Sequence, residues 1–145
     1  MRVVRGRADG SPSEQRSSTF TGVVWSDPVL PTTDGVTVND VFFCPEARTF
    51  WHFHERGQIL RVTSGIGLVC SQGGTPQLVR AGDTVWTPPA ERHWHGGSID
   101  CCMHHTAISL GTTSWLDPVT DEEYRAAVGR HDAQTTMSLR QKAAT

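Results

Sequence analysis

The sequence predicts an all-β protein, a single-domain sandwich or barrel with one short C-terminal helix. Two observations carry that prediction. Short β-branched and aromatic runs recur along the chain, and Gly, Pro and Asp clusters separate them. A third observation supports it, since only one segment carries helix start and stop signals. At 145 residues and 37% hydrophobic, the chain can bury one core and is too short for two.

The expected strands, in order, are TGVVW (21–25), GVTVNDVFF (35–43), QILRVTS (58–64), IGLVCS (66–71), QLVRA (77–81) and TVWTP (84–88). Turn chemistry lies between them at SDPVLPTTDG, SGIG, QGGTP, AGD and TPPAER. CCMHHTAISL (101–110) reads as the final strand. The helix is expected in TDEEYRAAVG, outside the barrel. Thr120 is its N-cap, Glu123 the capping-box partner and Gly129 its stop. Residues 1–17 and 131–145 are polar enough to be mobile. The barrel with its helix is therefore expected over 18–130.

A net charge of -2 excludes the basic excess that nucleic acid or an anionic membrane surface requires. No apolar run reaches membrane-spanning length, and the N-terminal stretch lacks the apolar core of a signal peptide, so a cytoplasmic location is expected. Cys44, Cys70, Cys101 and Cys102 have no CxxC spacing and read as free, mostly buried thiols without a catalytic role.

Histidine placement is the sharpest signal. In TFWHFHERGQIL (49–60), Trp51 and Phe53 alternate with His52 and His54, so on a strand both imidazoles point to one face. ERG then turns the chain, and an inward Gln58 at the start of the next strand comes within reach. HERGQ also approaches the helical zinc motif HExxH, but Gly57 and the strand-like alternation oppose a helix. After the Pro88-Pro89 turn, His93 and His95 flank an outward Trp94 and again share a face. In CCMHHTAISL, Met103, His105, Ala107 and Ser109 fall on one side and His104 on the other. Six of seven histidines thus sit in three strand segments.

These residues resemble the cupins, small β-barrels defined by two metal-binding motifs, over roughly residues 40–110. The first motif reads Glu46, His52, His54, Gln58 and Gly65, with Glu in place of a leading Gly and Gln in place of a Glu ligand. The second reads Gly82, Pro88, Ala90, His93 and Gly97, with Ala and Gly in place of Gly and Asn. Every spacing is kept. Within the cupins the chain is similar to small single-domain bacterial members that include manganese-dependent hydroxynitrile lyases, through ARTFWHFH, RHWHG, MHH and WLDPVTDEEY. Lyase-type members tend to carry Gln where this chain has Ser109.

The resemblance implies a double-stranded β-helix, or jelly-roll, barrel that forms a homodimer. It also implies one divalent metal ion, manganese first and iron, zinc or nickel as alternatives, held by His52, His54, Gln58 and His93, with His95 and His105 in the pocket. Three imidazoles and an amide oxygen are neutral, so the ion would keep its full charge and act as a strong Lewis acid, with two positions left for a small-molecule substrate. His105, with His95 second, is the expected proton acceptor. The alternative for His105 is a residue that only orients a ligand. Leu60, Val62 and Met103 are the expected apolar pocket wall. Trp51, Trp86 and Trp94 read as outward or inter-sheet packing. Arg48 is read as solvated or paired with Glu46 at least as readily as holding a substrate carboxylate.

The leading functional expectation is a non-redox lyase, cyclase or isomerase that stabilises an oxyanion on the metal. Hydroxynitrile cleavage is its most concrete form. An iron-dependent dioxygenase and a non-catalytic small-molecule-binding barrel are the alternatives.

Overall fold

The computed structural model describes residues 1–8 and 10–130; the C-terminal tail 131–145, expected to be mobile, lies outside the described residues. Twelve strands are formed: β1 Glu14–Arg16, β2 Phe20–Thr21, β3 Val24–Thr33, β4 Val36–Phe43, β5 Arg48–Thr49, β6 His52–His54, β7 Gln58–Ser71, β8 Gln77–Arg80, β9 Thr84–Thr87, β10 His93–Gly97, β11 Met103–Leu110 and β12 Thr113–Trp115. One helix, α1, spans 121–130. These strands pair antiparallel throughout. Along one path the order is β1-β3-β4-β11-β7-β10-β5-β2, with β9 and β8 on β7 and with β6 joining β10 to β12. The result is a nearly closed barrel, as the strand pattern predicts.

The two expected strands 58–64 and 66–71 are one strand of 14 residues, β7. Its first half pairs with β11 and β9, and its second half with β10 and β8, so it turns the corner between two sheets. SGIG supplies the bend rather than a break. Gly65 has φ 77°, and a Cβ there would overlap the carbonyl oxygen of Cys102. A register shift opposite His104 and His105 adds the local twist of a bulge. Upstream, SDPVLPTTDG is not a loop either. β3 runs through it with two register shifts beside its prolines, and only Asp34-Gly35 turns the chain into β4. Both residues have positive φ, 51° and 74°, as a two-residue hairpin turn requires.

CCMHHTAISL is not the final strand. β12 follows and pairs with β6, setting Thr113 opposite His54 and Trp115 opposite His52. At the other end, Glu14–Arg16 of the 1–17 segment are paired to β3. Ala8 of the same segment is buried and donates its N–H to the carbonyl of Pro28.

Two apolar clusters hold the molecule. Val24, Val41, Phe43, Val62 and Met103 fill one, inside the barrel. Leu68, Cys70, Trp94, Val119, Tyr124 and Ala127 form the other, between the outer face of β7 and β10 and helix α1. Trp94 does point outward, but α1 covers it. The capping box is formed: Thr120 N–H donates to Glu123 Oε2 at 2.7 Å, and Glu123 N–H donates to Thr120 Oγ1 at 3.1 Å. Gly129 is no stop, for the helix passes through it to Arg130. Open space surrounds Gly129, and the buried Tyr124 and Ala127 outweigh its propensity cost of roughly 1 kcal/mol.

Arg48 is neither solvated nor paired with the Glu46 carboxylate. It is 3% exposed, and its guanidinium donates to the carbonyls of Val119 and Glu46 and, at 2.6 Å, to Asp121 Oδ1. The Tyr124 ring lies 5.0 Å from its Cζ. Arg48 therefore ties β5 to the start of α1. Of the cysteines, only Cys70 is buried; Cys44, Cys101 and Cys102 are half-buried.

Candidate metal and active site

The histidine strands converge inside the barrel. β6 lies against β10, with His52 opposite His93. The rings of His52 and His93 are 4.2 Å apart, those of His52 and His54 5.1 Å, and those of His95 and His105 4.9 Å. Nitrogens of His52, His93 and His95 fall within 4.8 Å of one another, and these three histidines could hold a metal ion. His54 stands slightly outside, 5.6 Å ring to ring from His93. Gln58 reaches the group from the start of β7, its Oε1 3.0 Å from His93 Nε2. All of these residues are buried.

Hydrogen bonds on the far side of two of the rings set their tautomers. His52 Nδ1 lies 2.9 Å from the Phe50 carbonyl and His93 Nδ1 2.9 Å from the Glu91 carbonyl. A carbonyl only accepts, so both rings carry the proton on Nδ1 and turn an Nε2 lone pair inward. Thr113 Oγ1 meets His54 Nδ1 at 3.0 Å, and Gln58 Nε2–H donates to Ser109 Oγ at 3.1 Å. Burial keeps the rings uncharged. Loss of water, then the neighbouring His93, lowers His54 to about 4. Loss of water alone dominates His93, while His52 and His95 are pushed well below the usual imidazole range by burial and then by a neighbouring histidine. His105 falls to about 3, through burial first and His104 second.

This arrangement leaves electron pairs facing one another. His93 Nε2 and Gln58 Oε1 are both acceptors at 3.0 Å, and the Nε2 atoms of His54 and His95 are buried with no hydrogen-bond partner. Buried ring nitrogens without a partner, and acceptors set against each other, are costly. A divalent cation among them satisfies the set, so these residues fit the metal that the motif spacing implies.

A cavity of about 360 Å³ opens onto His52, His54, Gln58 and His95. Its apolar wall is Phe20, Val41, Ala107 and Trp115, and Arg16 with Glu14 stands on its rim. This corrects the expected wall. Val62 and Met103 belong to the closed core, and Leu60 faces a separate cavity of about 430 Å³ that also touches His93. Trp115 packs 4.7 Å from the His52 ring and 5.6 Å from Phe20. Phe20 and Trp115 come from β2 and β12, strands of two and three residues that offer too little alternation to be read. His105 does not reach the cavity. It is fully buried behind His95, its Nε2 3.2 Å from His95 Nδ1 and its own Nδ1 unpartnered.

A model of the cupin domain matches residues 41–100. An (R)-mandelonitrile lyase from Granulicella tundricola is 42% identical over 112 residues, which cover 73% of this chain and 86% of that one. A cupin-like protein from Thermotoga maritima is 38% identical, with a TM-score of 0.76 over 87% of this chain and 97% of the other. The fold alone is shared with a polyketide cyclase from Streptomyces resistomycificus, 17% identical with a TM-score of 0.65 over 85% of this chain and 91% of that one. No helix among the described residues is long and apolar enough to cross a membrane. With the same barrel underneath, and at 42% and 38% identity to relatives covered over 86% and 97% of their lengths, this chain belongs to the cupin family.

Proposed function

We propose that the protein is a metal-dependent lyase that cleaves small hydroxynitriles, or forms them from an aldehyde and hydrogen cyanide. His52, His54, Gln58 and His93 hold the ion, with manganese the first candidate. The observation that carries the reading is the set of neutral, inward lone pairs beside a cavity in which one further histidine, His95, keeps a free Nε2. The kinship with a mandelonitrile lyase supports the reaction class.

A bound divalent ion would supply Lewis acidity toward a hydroxyl or carbonyl oxygen. The protein's own part is positioning and proton transfer. His95 Nε2 accepts the hydroxyl proton of the substrate, and the same nitrogen returns it to the departing cyanide, so the step is proton-neutral. His105 Nε2 lies 3.2 Å from His95 Nδ1, and with the proton of that contact on His95 Nδ1 the His95 Nε2 is left free. Burial thus favours His95 over His105 as the group that meets substrate. Phe20 and Trp115 offer apolar faces to an aryl or alkyl substituent.

The test is release of benzaldehyde from mandelonitrile by purified protein under anaerobic conditions, before and after chelation and with manganese restored. Turnover should persist without oxygen, vanish on chelation and return with the metal. Oxygen-dependent turnover, or turnover indifferent to chelation, overturns the reading. His95→Ala should lower kcat by at least about a hundredfold with metal content retained; loss of the metal instead would make His95 a ligand.

A homodimer is proposed as well, supported by the free edge of β1 and by the exposed Trp25 and Phe42 on the same sheet. Light scattering that returns a monomer mass would refute it.

A further inference from the structure

The half-buried cysteines lie outside the histidine site, and the strand register brings two of them together. β11 and β4 pair with Met103 opposite Phe43 and His104 opposite Phe42, and that register, continued one step past the ends of both strands, sets Cys102 across from Cys44. Backbone hydrogen bonds show what kind of pair this is. Cys44 N–H donates to the Val23 carbonyl on the β3 side at 3.0 Å, and the Cys102 carbonyl accepts from Ile66 N–H on the β7 side at 3.0 Å. Each backbone therefore faces away from the other strand, and the two cysteines form a non-hydrogen-bonded antiparallel pair. Such pairs hold their Cα atoms roughly 4.5 Å apart with side chains close, inside the span of about 4.4–6.8 Å that a disulfide bridges. Burial pushes the Cys102 thiol up, and the neighbouring Cys44 and Cys101 thiols push it further, a mark of how near the sulfurs lie. Cys101 is adjacent in sequence to Cys102, and the short link between them disfavours a bridge.

We propose that Cys44 and Cys102 are a modification site that closes into a cross-strand disulfide under a peroxide oxidant. One thiol, as thiolate, attacks an oxygen of hydrogen peroxide and becomes a sulfenic acid, with water as the leaving product. The second thiol then attacks that sulfur, expels its oxygen as water and completes the S–S bond. Two thiols and one peroxide thus give one disulfide and two waters. The bridge lies just outside the fully buried Phe43–Met103 pair and staples the strand that carries His105 to the strand that carries Val41.

The experiment treats the full chain with a small excess of hydrogen peroxide, blocks remaining thiols by alkylation and maps the non-reduced peptides by mass spectrometry. The expected result is an intramolecular peptide pair joined through Cys44 and Cys102, lighter by two hydrogens, with Cys70 alkylated and the thermal midpoint raised by roughly 5–10 °C. The pair should persist in Cys101→Ser and disappear in Cys102→Ser. A bridge between Cys101 and either neighbour, a bridge between two chains, or four alkylated thiols after peroxide would overturn the proposal. Because the map is made on the unsubstituted chain, the result does not depend on any variant folding. It is also independent of the proposed lyase activity.

Discussion

At the scale of single residues, the motif substitutions explain themselves through the backbone. Glu46 and Ala90 stand where the family motifs carry glycine, and both keep glycine's left-handed conformation, with φ 62° and 60°. The spacing survives because the turn geometry survives, and the side chain bears the strain. The Ala90 N–H donates to the His54 carbonyl at 2.8 Å, so this turn also braces a site strand. A left-handed L-residue costs roughly 1–2 kcal/mol, and glycine returns part of that gain as unfolded-state entropy. Ala90→Gly should therefore raise stability by about 0.5–1 kcal/mol in denaturant unfolding, with metal content unchanged. The paired histidines were legible because a strand's period of two leaves no choice about which face His52 and His54 share. The inner position of His105 was not legible, since alternation gives a face and not a depth.

At the scale of elements, α1 behaves as part of the barrel. Its Tyr124 is 1% exposed and donates its hydroxyl hydrogen to the Gly97 carbonyl at 2.9 Å, on the same strand that carries His93 and His95. Burial and the nearby Glu46 raise that phenol to about 12, so the donor keeps its proton throughout ordinary conditions. Tyr124→Phe leaves a buried carbonyl without its donor and should cost about 1–2 kcal/mol of stability, measured by the denaturation midpoint. The capping box could be read from Thr120 and Glu123, because it is local. The continuation through Gly129 could not, because it rests on contacts with Trp94 and Leu68, far away in sequence. For the same reason Gln58–Ser71 read as two strands. Only the pairing of each half with a different neighbour shows Gly65 as a bend within one.

At the scale of the whole molecule, buried histidines tie stability to acidity. For a histidine whose folded pKa lies below its unfolded value near 6.5, the unfolded chain takes up protons first as pH falls. The stability that the neutral ring allows is complete above about pH 6.5 and is lost as pH drops toward the folded value, about 4 for His54 and about 3 for His105. The metal-free protein should therefore show a flat denaturation midpoint from about pH 7 to 8 and a steep fall below about pH 6. His105 alone contributes about 1.4 kcal/mol per pH unit within that window. An unchanged midpoint at about pH 5 would mean that the histidines are solvated or already charged. The barrel itself was legible from strand spacing and punctuation, while the cavity wall, where Phe20 of β2 meets Trp115 of β12, emerges only when the barrel closes.

The corner strand also bears on how the molecule opens. With β9 and β11 along its first half and β8 and β10 along its second, β7 is flanked on both sides over most of its length. Neither sheet can be peeled away without breaking hydrogen bonds that anchor the other. Amide exchange along β7 should thus proceed by one cooperative opening, with Leu60 and Leu68 protected to the same free energy, and not by two sheets breathing in turn.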